Sequence, residues 1–486
     1  MIFNSFTYLL FLVVTLSLYW FSSKNIKLYV IFLSSIIFYS FWRFDFVLLL
    51  LLSIFVDYYA SIKIYNSKIK AKKRIYLYLS LFINIGLLAF FKYFYFIFEN
   101  TSGLMSLMGV DLPPLELKII LPIGISFYTF QSISYTIDVY RGSFKPVKNF
   151  ILFSNYVIFF PQLVAGPILR ANEMLWQFTQ KKIFDFNSFS YGIQRIISGL
   201  FLKVVLADNI SKIVNEGFLI NPKLLSVFDI MTLCYLFGFQ IYFDFSAYSH
   251  IAIGSALLFG IKLKENFNFP FHSISPKNYW TRWNITLSSW VRDYIYLPLL
   301  NKKPLNKSND GLSYKVSYSN LGVYSVLTLF VTWSLMGLWH GASWNFITWG
   351  LWNFLIIWTF RYLEFFKNFL NLKVYNFISW FLTLQLTMIG WIFFRPENLS
   401  ISMEMLSSFF TIEKWTFLSL KENNYLIVFL ITLFYLIMPY ILSKFKILTE
   451  RRKVIFNLTK NITLIIAVTL ILIYLKDIKQ FIYFQF

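Results

Sequence analysis

The chain carries one cysteine in 486 residues, Cys234. A single thiol makes no internal disulfide and no cysteine cluster for a metal, and its place in an apolar run reads as a small core side chain. Acidic residues are scarce, 22 against 44 lysines and arginines, and only 14% of the chain is charged. Met1 is followed by no basic n-region and no small-residue cleavage pattern, so the opening reads as a retained first helix rather than a removed signal. Long linkers, low-complexity tracts and a repeat between the halves are all missing, as is the alternating pattern of a membrane barrel. What is abundant is hydrocarbon: 58% of residues are hydrophobic and the mean hydropathy is +0.62. One soluble core could not cover that much apolar surface. The composition predicts an all-α, polytopic membrane protein.

Apolar segments of spanning length recur near 5–22, 28–42, 45–62 and 75–97, then at 188–206, 224–262, 320–339, 344–361, 374–394, 425–443 and 461–475. They amount to about eleven spans, with two or three re-entrant or interfacial pieces, in a single membrane domain over 1–486. The net charge of +22 points to basic cytoplasmic loops and away from nucleic acid. Lys63, Lys68, Lys70, Lys72, Lys73 and Arg74 form one such loop. Lys302, Lys303, Lys307 and Lys315 form a second, and Lys444, Lys446, Arg451, Arg452 and Lys453 a third. Counting back from the first places the N-terminus outside, with the lipid bilayer as the main partner.

Three regions break the apolar monotony. Residues 118–140 are interrupted by Pro122 and Gly124 and carry Gln131. Residues 150–170 end Pro-Gln-Leu-Val-Ala-Gly-Pro-Ile-Leu-Arg. Pro161, Gly166 and Pro167 cannot all sit in a regular helix, so this backbone is expected to be enclosed by protein or to line a recess. The 224–262 segment holds Ile-Tyr-Phe-Asp-Phe-Ser-Ala-Tyr-Ser, where Asp244 needs a partner or water at membrane depth. His250 follows directly, and His272 reads as a loop residue without chemistry.

Residues 279–298 open Tyr-Trp-Thr-Arg-Trp-Asn-Ile-Thr-Leu-Ser-Ser-Trp-Val-Arg-Asp-Tyr. The pattern predicts one continuous interfacial helix, with Trp283, Leu287, Trp290 and Tyr294 on one face and Asn284, Ser288 and Arg292 on another. Residues 335–349 read Leu-Met-Gly-Leu-Trp-His-Gly-Ala-Ser-Trp-Asn-Phe-Ile-Thr-Trp. His340 is one of three histidines, flanked by Gly337 and Gly341 and crowded by Trp339, Trp344 and Trp349. A titratable group inside an apolar segment is a functional-site candidate. A buried histidine that only bonds across helices fits the same residues. A helix rising about 1.5 Å per residue from near Asn320 would carry His340 roughly 30 Å, toward the outer surface.

Together these stretches resemble the membrane-bound O-acyltransferase family. Residues 337–346 are similar to its histidine motif and 279–294 to its second motif. Residues 161–170 and 241–249 match the bacterial branch that acetylates alginate and peptidoglycan and D-alanylates teichoic acid. The opening Phe-Asn-Ser-Phe is similar to alginate-type members. Two positions depart from that branch: Asn284 stands where it usually has histidine, and His250 where it usually has aspartate.

The resemblance implies a helical bundle around a tunnel from the cytoplasm to His340, with the family core at about 118–360 and flanking helices at 1–117 and 361–486. It implies an acyl-CoA donor, acetyl-CoA, and no metal. It also implies an extracytoplasmic hydrolase-like partner that places the acyl group on polysaccharide, and a location in the bacterial cytoplasmic membrane. Acyl transfer needs a base for the attacking hydroxyl and donors for the oxyanion. His340 is the expected base, and Asn284 can donate through its amide. Arg282, Trp283, Ser288 and Arg292 are expected at the donor, although Arg292 beside Asp293 also reads as a rim ion pair. Trp339, Gly341, Trp344, Asp244 and Gln131 are expected to line the cavity. A transporter or flippase would use His340 and Asp244 differently, but transporters commonly carry the repeated halves that this chain lacks.

Overall fold

The computed structural model describes residues 1–113, 117–302, 323–445, 450–475 and 480–482. The expectations for Lys303, Lys307, Lys315 and Lys446 fall outside them. All regular structure among the described residues is helical. Asp45–Asn66, Lys70–Leu107, Val227–Leu258, Leu372–Phe393 and Glu422–Ile441 are long and apolar enough to cross a bilayer. Phe6–Phe21, Ser325–His340, Leu399–Phe410 and Asn461–Tyr474 are shorter apolar helices. The protein is thus a multi-pass membrane protein, with nine apolar helices among the described residues where the sequence predicts about eleven spans. Some predicted spans are cut: the 188–206 run becomes the helix Phe186–Leu200 followed by a π-helical turn, Phe201–Ala207.

The chain forms two compact units, each assembled from separated stretches. The first comprises Met1–Lys203, Phe245–Glu265 and Leu470–Phe486. Its polar centre is Asp57, fully buried in the helix Asp45–Asn66. The carboxylate accepts from the hydroxyls of Ser80 and Ser132, from Asn84 Nδ2 at 3.0 and 2.9 Å and from Thr136 Oγ1 at 3.3 Å. Those donors come from Lys70–Leu88 and Ile125–Tyr140, so one carboxylate ties three helices together. Donors stranded in an apolar interior cost about 1–3 kcal/mol each. Asp57→Ala should therefore lower stability by at least about 2 kcal/mol, read as a fall in the thermal midpoint of detergent-solubilised protein. Asp57→Asn should fall less, and an unchanged midpoint in the alanine variant would contradict the assignment.

The irregular 159–169 backbone lies in the same unit and is buried throughout, as the proline and glycine pattern predicts. Gly124, at φ 76°, meets it so closely that a Cβ there would sit 2.8 Å from the Leu163 carbonyl oxygen. Gln131 donates to the Tyr156 carbonyl, and Tyr156 Oη donates to the carbonyls of Gln131 at 3.2 Å and Leu169 at 3.0 Å.

The second unit comprises Val204–Asp244 and Asn266–Thr469. Cys234 lies in a core with Leu225, Ile230, Leu233, Ile392 and Met405, as a small apolar residue should. The helices Val323–His340 and Trp344–Leu363 pack side by side at close range. A Cβ on Gly350 would lie 2.2 Å from the Trp333 carbonyl oxygen, and one on Gly337 2.2 Å from that of Phe346. Backbone occupies both positions, so neither admits a side chain without separating the pair.

Candidate active site

His340 is the last residue of its helix, and 341–343 turn the chain into the next. Ser343 caps that next helix, its hydroxyl accepting from the Asn345 N–H at 3.2 Å. The His340 ring is half-buried and meets three aromatic rings edge-on: Trp349 at 4.8 Å, Trp339 at 4.9 Å and Phe394 at 5.2 Å. A Cβ on Gly341 would lie 2.2 Å from the Phe346 ring, so glycine is what lets that ring pack against residue 341.

The continuous helix predicted over 279–298 is not found. Pro276–Trp280 ends in a turn, Ile285–Val291 begins afresh, and Arg292–Tyr296 is π-helical. The break has a tertiary cause. The Ile285 N–H donates to the Asn266 carbonyl and the Asn268 N–H to the Arg282 carbonyl, each at 2.9 Å. This pairing pulls the backbone out of helical register. Asn284 sits at the break with φ 40°, in the left-handed region that asparagine tolerates better than most residues. It is 2% exposed, and its side-chain oxygen meets no hydrogen-bond donor among the described residues.

A line of indoles joins this break to the histidine. Trp283 lies 5.7 Å from Trp391, Trp391 stacks on Trp349 at 6.4 Å, and Trp349 faces His340 at 4.8 Å. Trp280 packs on Trp349 at 5.8 Å. Several buried polar atoms of this wall lack a hydrogen-bond partner among the described residues: Asn284 Oδ1, Tyr279 Oη, Trp280 Nε1 and Trp391 Nε1. Each such atom in an apolar surrounding costs about 1–3 kcal/mol. Grouped in one wall beside the histidine, they make it a candidate for holding a polar ligand.

The other sequence candidates divide. Trp339 is buried against His340. Trp283 is buried and stacks on Tyr279 at 5.6 Å. Trp344 is 54% exposed at the start of its helix. Ser288 Oγ donates to the Trp283 carbonyl at 3.2 Å, and Arg282 donates to the Asn268 carbonyl at 3.4 Å. Arg292 Nε pairs with Asp293 at 2.8 Å, the arrangement of a local ion pair. Asp244 is buried in the second unit. Gln131 belongs to the first unit, where it holds the Tyr156 backbone. His272 keeps a structural place, its Nε2 3.1 Å from the Leu436 carbonyl oxygen. Trp391 and Phe394 complete the wall but were not among the sequence candidates. Their signal is the aromatic run Trp-Ile-Phe-Phe at 391–394, directly after an apolar helix.

A model of the membrane-bound O-acyltransferase family matches residues 146–313, which include the Asn284 break and stop short of His340. A probable alginate O-acetylase of Pseudomonas aeruginosa is 35% identical over 429 residues, covering 87% of this chain and 78% of that protein. A peptidoglycan O-acetyltransferase of Helicobacter pylori is 32% identical over 400 residues, 77% of this chain and 72% of that protein. A teichoic acid D-alanyltransferase of Bacillus subtilis is 29% identical over 255 residues, 50% of this chain and 59% of that protein.

Proposed function

The chain belongs to the membrane-bound O-acyltransferase family and is an O-acyltransferase, and from that premise we propose that it passes an acetyl group from cytoplasmic acetyl-CoA across the bacterial cytoplasmic membrane to a cell-envelope acceptor. The observation that carries this reading is the aromatic wall, which combines one imidazole with buried, unsatisfied polar atoms. Two relatives that share most of the chain are named for acetylating alginate and peptidoglycan. A glycan hydroxyl, or the hydroxyl of an extracytoplasmic hydrolase-like partner that relays the group, is the matching acceptor.

In this mechanism the acceptor oxygen attacks the thioester carbonyl carbon while its proton passes to a ring nitrogen of His340. The carbonyl oxygen becomes an oxyanion, and the Asn284 amide N–H donates to it. Collapse of the tetrahedral intermediate breaks the carbon–sulfur bond. The departing thiolate recovers the proton from the imidazolium, giving free CoA and an O-acetyl ester. Trp339 and Gly341 shape the pocket around the imidazole, and the Arg282–Arg292 stretch faces the donor. The N-terminus lies outside and the basic loops face the cytoplasm.

The test is reconstitution in vesicles with acetyl-labelled acetyl-CoA supplied on the face of the basic loops. Free CoA should appear on that side and labelled ester on acceptor at the other. Absence of CoA release when envelope glycan and its secreted partner are both present would overturn the reading.

A further inference from the structure

The first unit holds a pocket of about 210 Å³, lined among others by Trp20, Lys181, Lys182, Phe184, Asp185 and Lys262. It forms where the helix Phe6–Phe21 ends and the helix ending at Leu258 gives way to loop. Its frame is fixed by hydrogen bonds: Trp20 Nε1 donates to the Leu258 carbonyl at 3.0 Å, Tyr19 Oη to that of Phe259 at 3.1 Å and Lys182 Nζ to that of Gly260 at 2.8 Å. Phe184 stands edge-on to Trp20 at 5.3 Å. Lys27 Nζ sits 4.6 Å above the Trp20 ring, on the same indole that walls the pocket.

Three lysines, Lys181, Lys182 and Lys262, thus line a space with one carboxylate on its wall, and Lys27 stands over the adjoining Trp20 ring. That carboxylate, Asp185, is already committed, accepting from the backbone N–H groups of Asn187 and Ser188 at the start of the next helix. Burial and then the neighbouring charge of Lys262 hold the Lys182 ammonium below its usual pKa. With three lysines against one carboxylate, which also feels the charge of Lys262, the pocket is left with a net positive charge. The surroundings are greasy: Phe21 is 93% exposed, Ile183 79% and Phe186 71%. Lysines beside exposed aromatics at the end of an apolar helix sit at headgroup depth.

We propose that this pocket binds the phosphate of an acidic glycerophospholipid, with Lys181, Lys182 and Lys262 around the headgroup and the acyl chains lying over Phe21, Ile183 and Phe186. The apolar rim selects a membrane lipid over a soluble phosphate. The site shares no residue with the proposed acyl-transfer chemistry, and its occupant braces Phe6–Phe21 against the 181–189 segment.

The experiment uses full-length protein, stripped of lipid in detergent, with bound lipid counted by native mass spectrometry and stability read as a thermal midpoint. Dioleoyl phosphatidylglycerol should give adducts and raise the midpoint, and dioleoyl phosphatidylcholine should do neither. Lys181→Gln with Lys262→Gln should weaken phosphatidylglycerol binding by about fivefold for each lysine removed. This variant leaves the Lys182–Gly260 bond in place, so folding is spared. Lys72→Gln with Lys73→Gln, an equal loss of charge elsewhere, should bind as the parent does. Equal adducts from the two lipids, or undiminished binding in the first variant, would overturn the proposal. So would equal stabilisation by inorganic phosphate or glycerol 3-phosphate, which would make the pocket a soluble-anion site.

Discussion

His340→Ala should lower acyl transfer by about 10²- to 10⁴-fold, the usual contribution of a positioned general base. The argument rests on where the ring is held. It ends its helix, half-buried and walled on three sides by Trp339, Trp349 and Phe394. Those contacts restrict its rotation. Alanine also removes ring packing, so a slow variant alone would not separate chemistry from structure. His340→Gln does separate them: it retains bulk and a hydrogen-bonding end but cannot take up the proton near neutral pH. Both variants should fall by comparable factors, with the glutamine variant keeping its thermal midpoint. Turnover within a few-fold of the parent in His340→Gln would show that this imidazole does not receive the proton.

The wall was partly legible in the sequence, and what was hidden was hidden for physical reasons. His340 stood out because ionisable groups are rare in apolar runs, and its neighbours in sequence, Trp339 and Trp349, are also its neighbours in space. Trp391 and Phe394 come from a distant segment, and no periodicity links them to residue 340. The break at Asn284 was masked by a good helical pattern. Trp283, Leu287, Trp290 and Tyr294 keep helical spacing, and only pairing with Asn266 and Asn268 reveals that the backbone turns there. Tertiary hydrogen bonds outweigh a propensity difference of a few tenths of a kcal/mol per residue. Gln131 reads in the sequence as a polar side chain at membrane depth, and what the sequence does not show is that it donates to the backbone of Tyr156. Asp57 was concealed inside a run that reads as a plain span, because its five hydrogen bonds come from side chains on two other helices.

Asn284 allows a cleaner dissection than the histidine, because its backbone and its amide make separable demands. Loss of one oxyanion donor typically lowers kcat by about 10²- to 10³-fold, and Asn284→Ala should fall in that range. Alanine, however, also meets the left-handed backbone at φ 40°, which costs an L residue roughly 1–2 kcal/mol. Asn284→Gly removes the amide and relieves that strain together. The two variants should therefore share the loss of kcat and differ in thermal midpoint, with glycine the more stable. If the amide only pinned the turn, glycine would restore much of the turnover that alanine loses, since the turn needs conformation and not a side chain. Buried as it is, with an oxygen that finds no donor among the described residues, the Asn284 amide is costly to the resting protein. An acceptor oxygen left open at that cost, in the wall that carries the imidazole, is best explained by a substrate N–H or O–H that donates to it while the amide Nδ2–H meets the oxyanion.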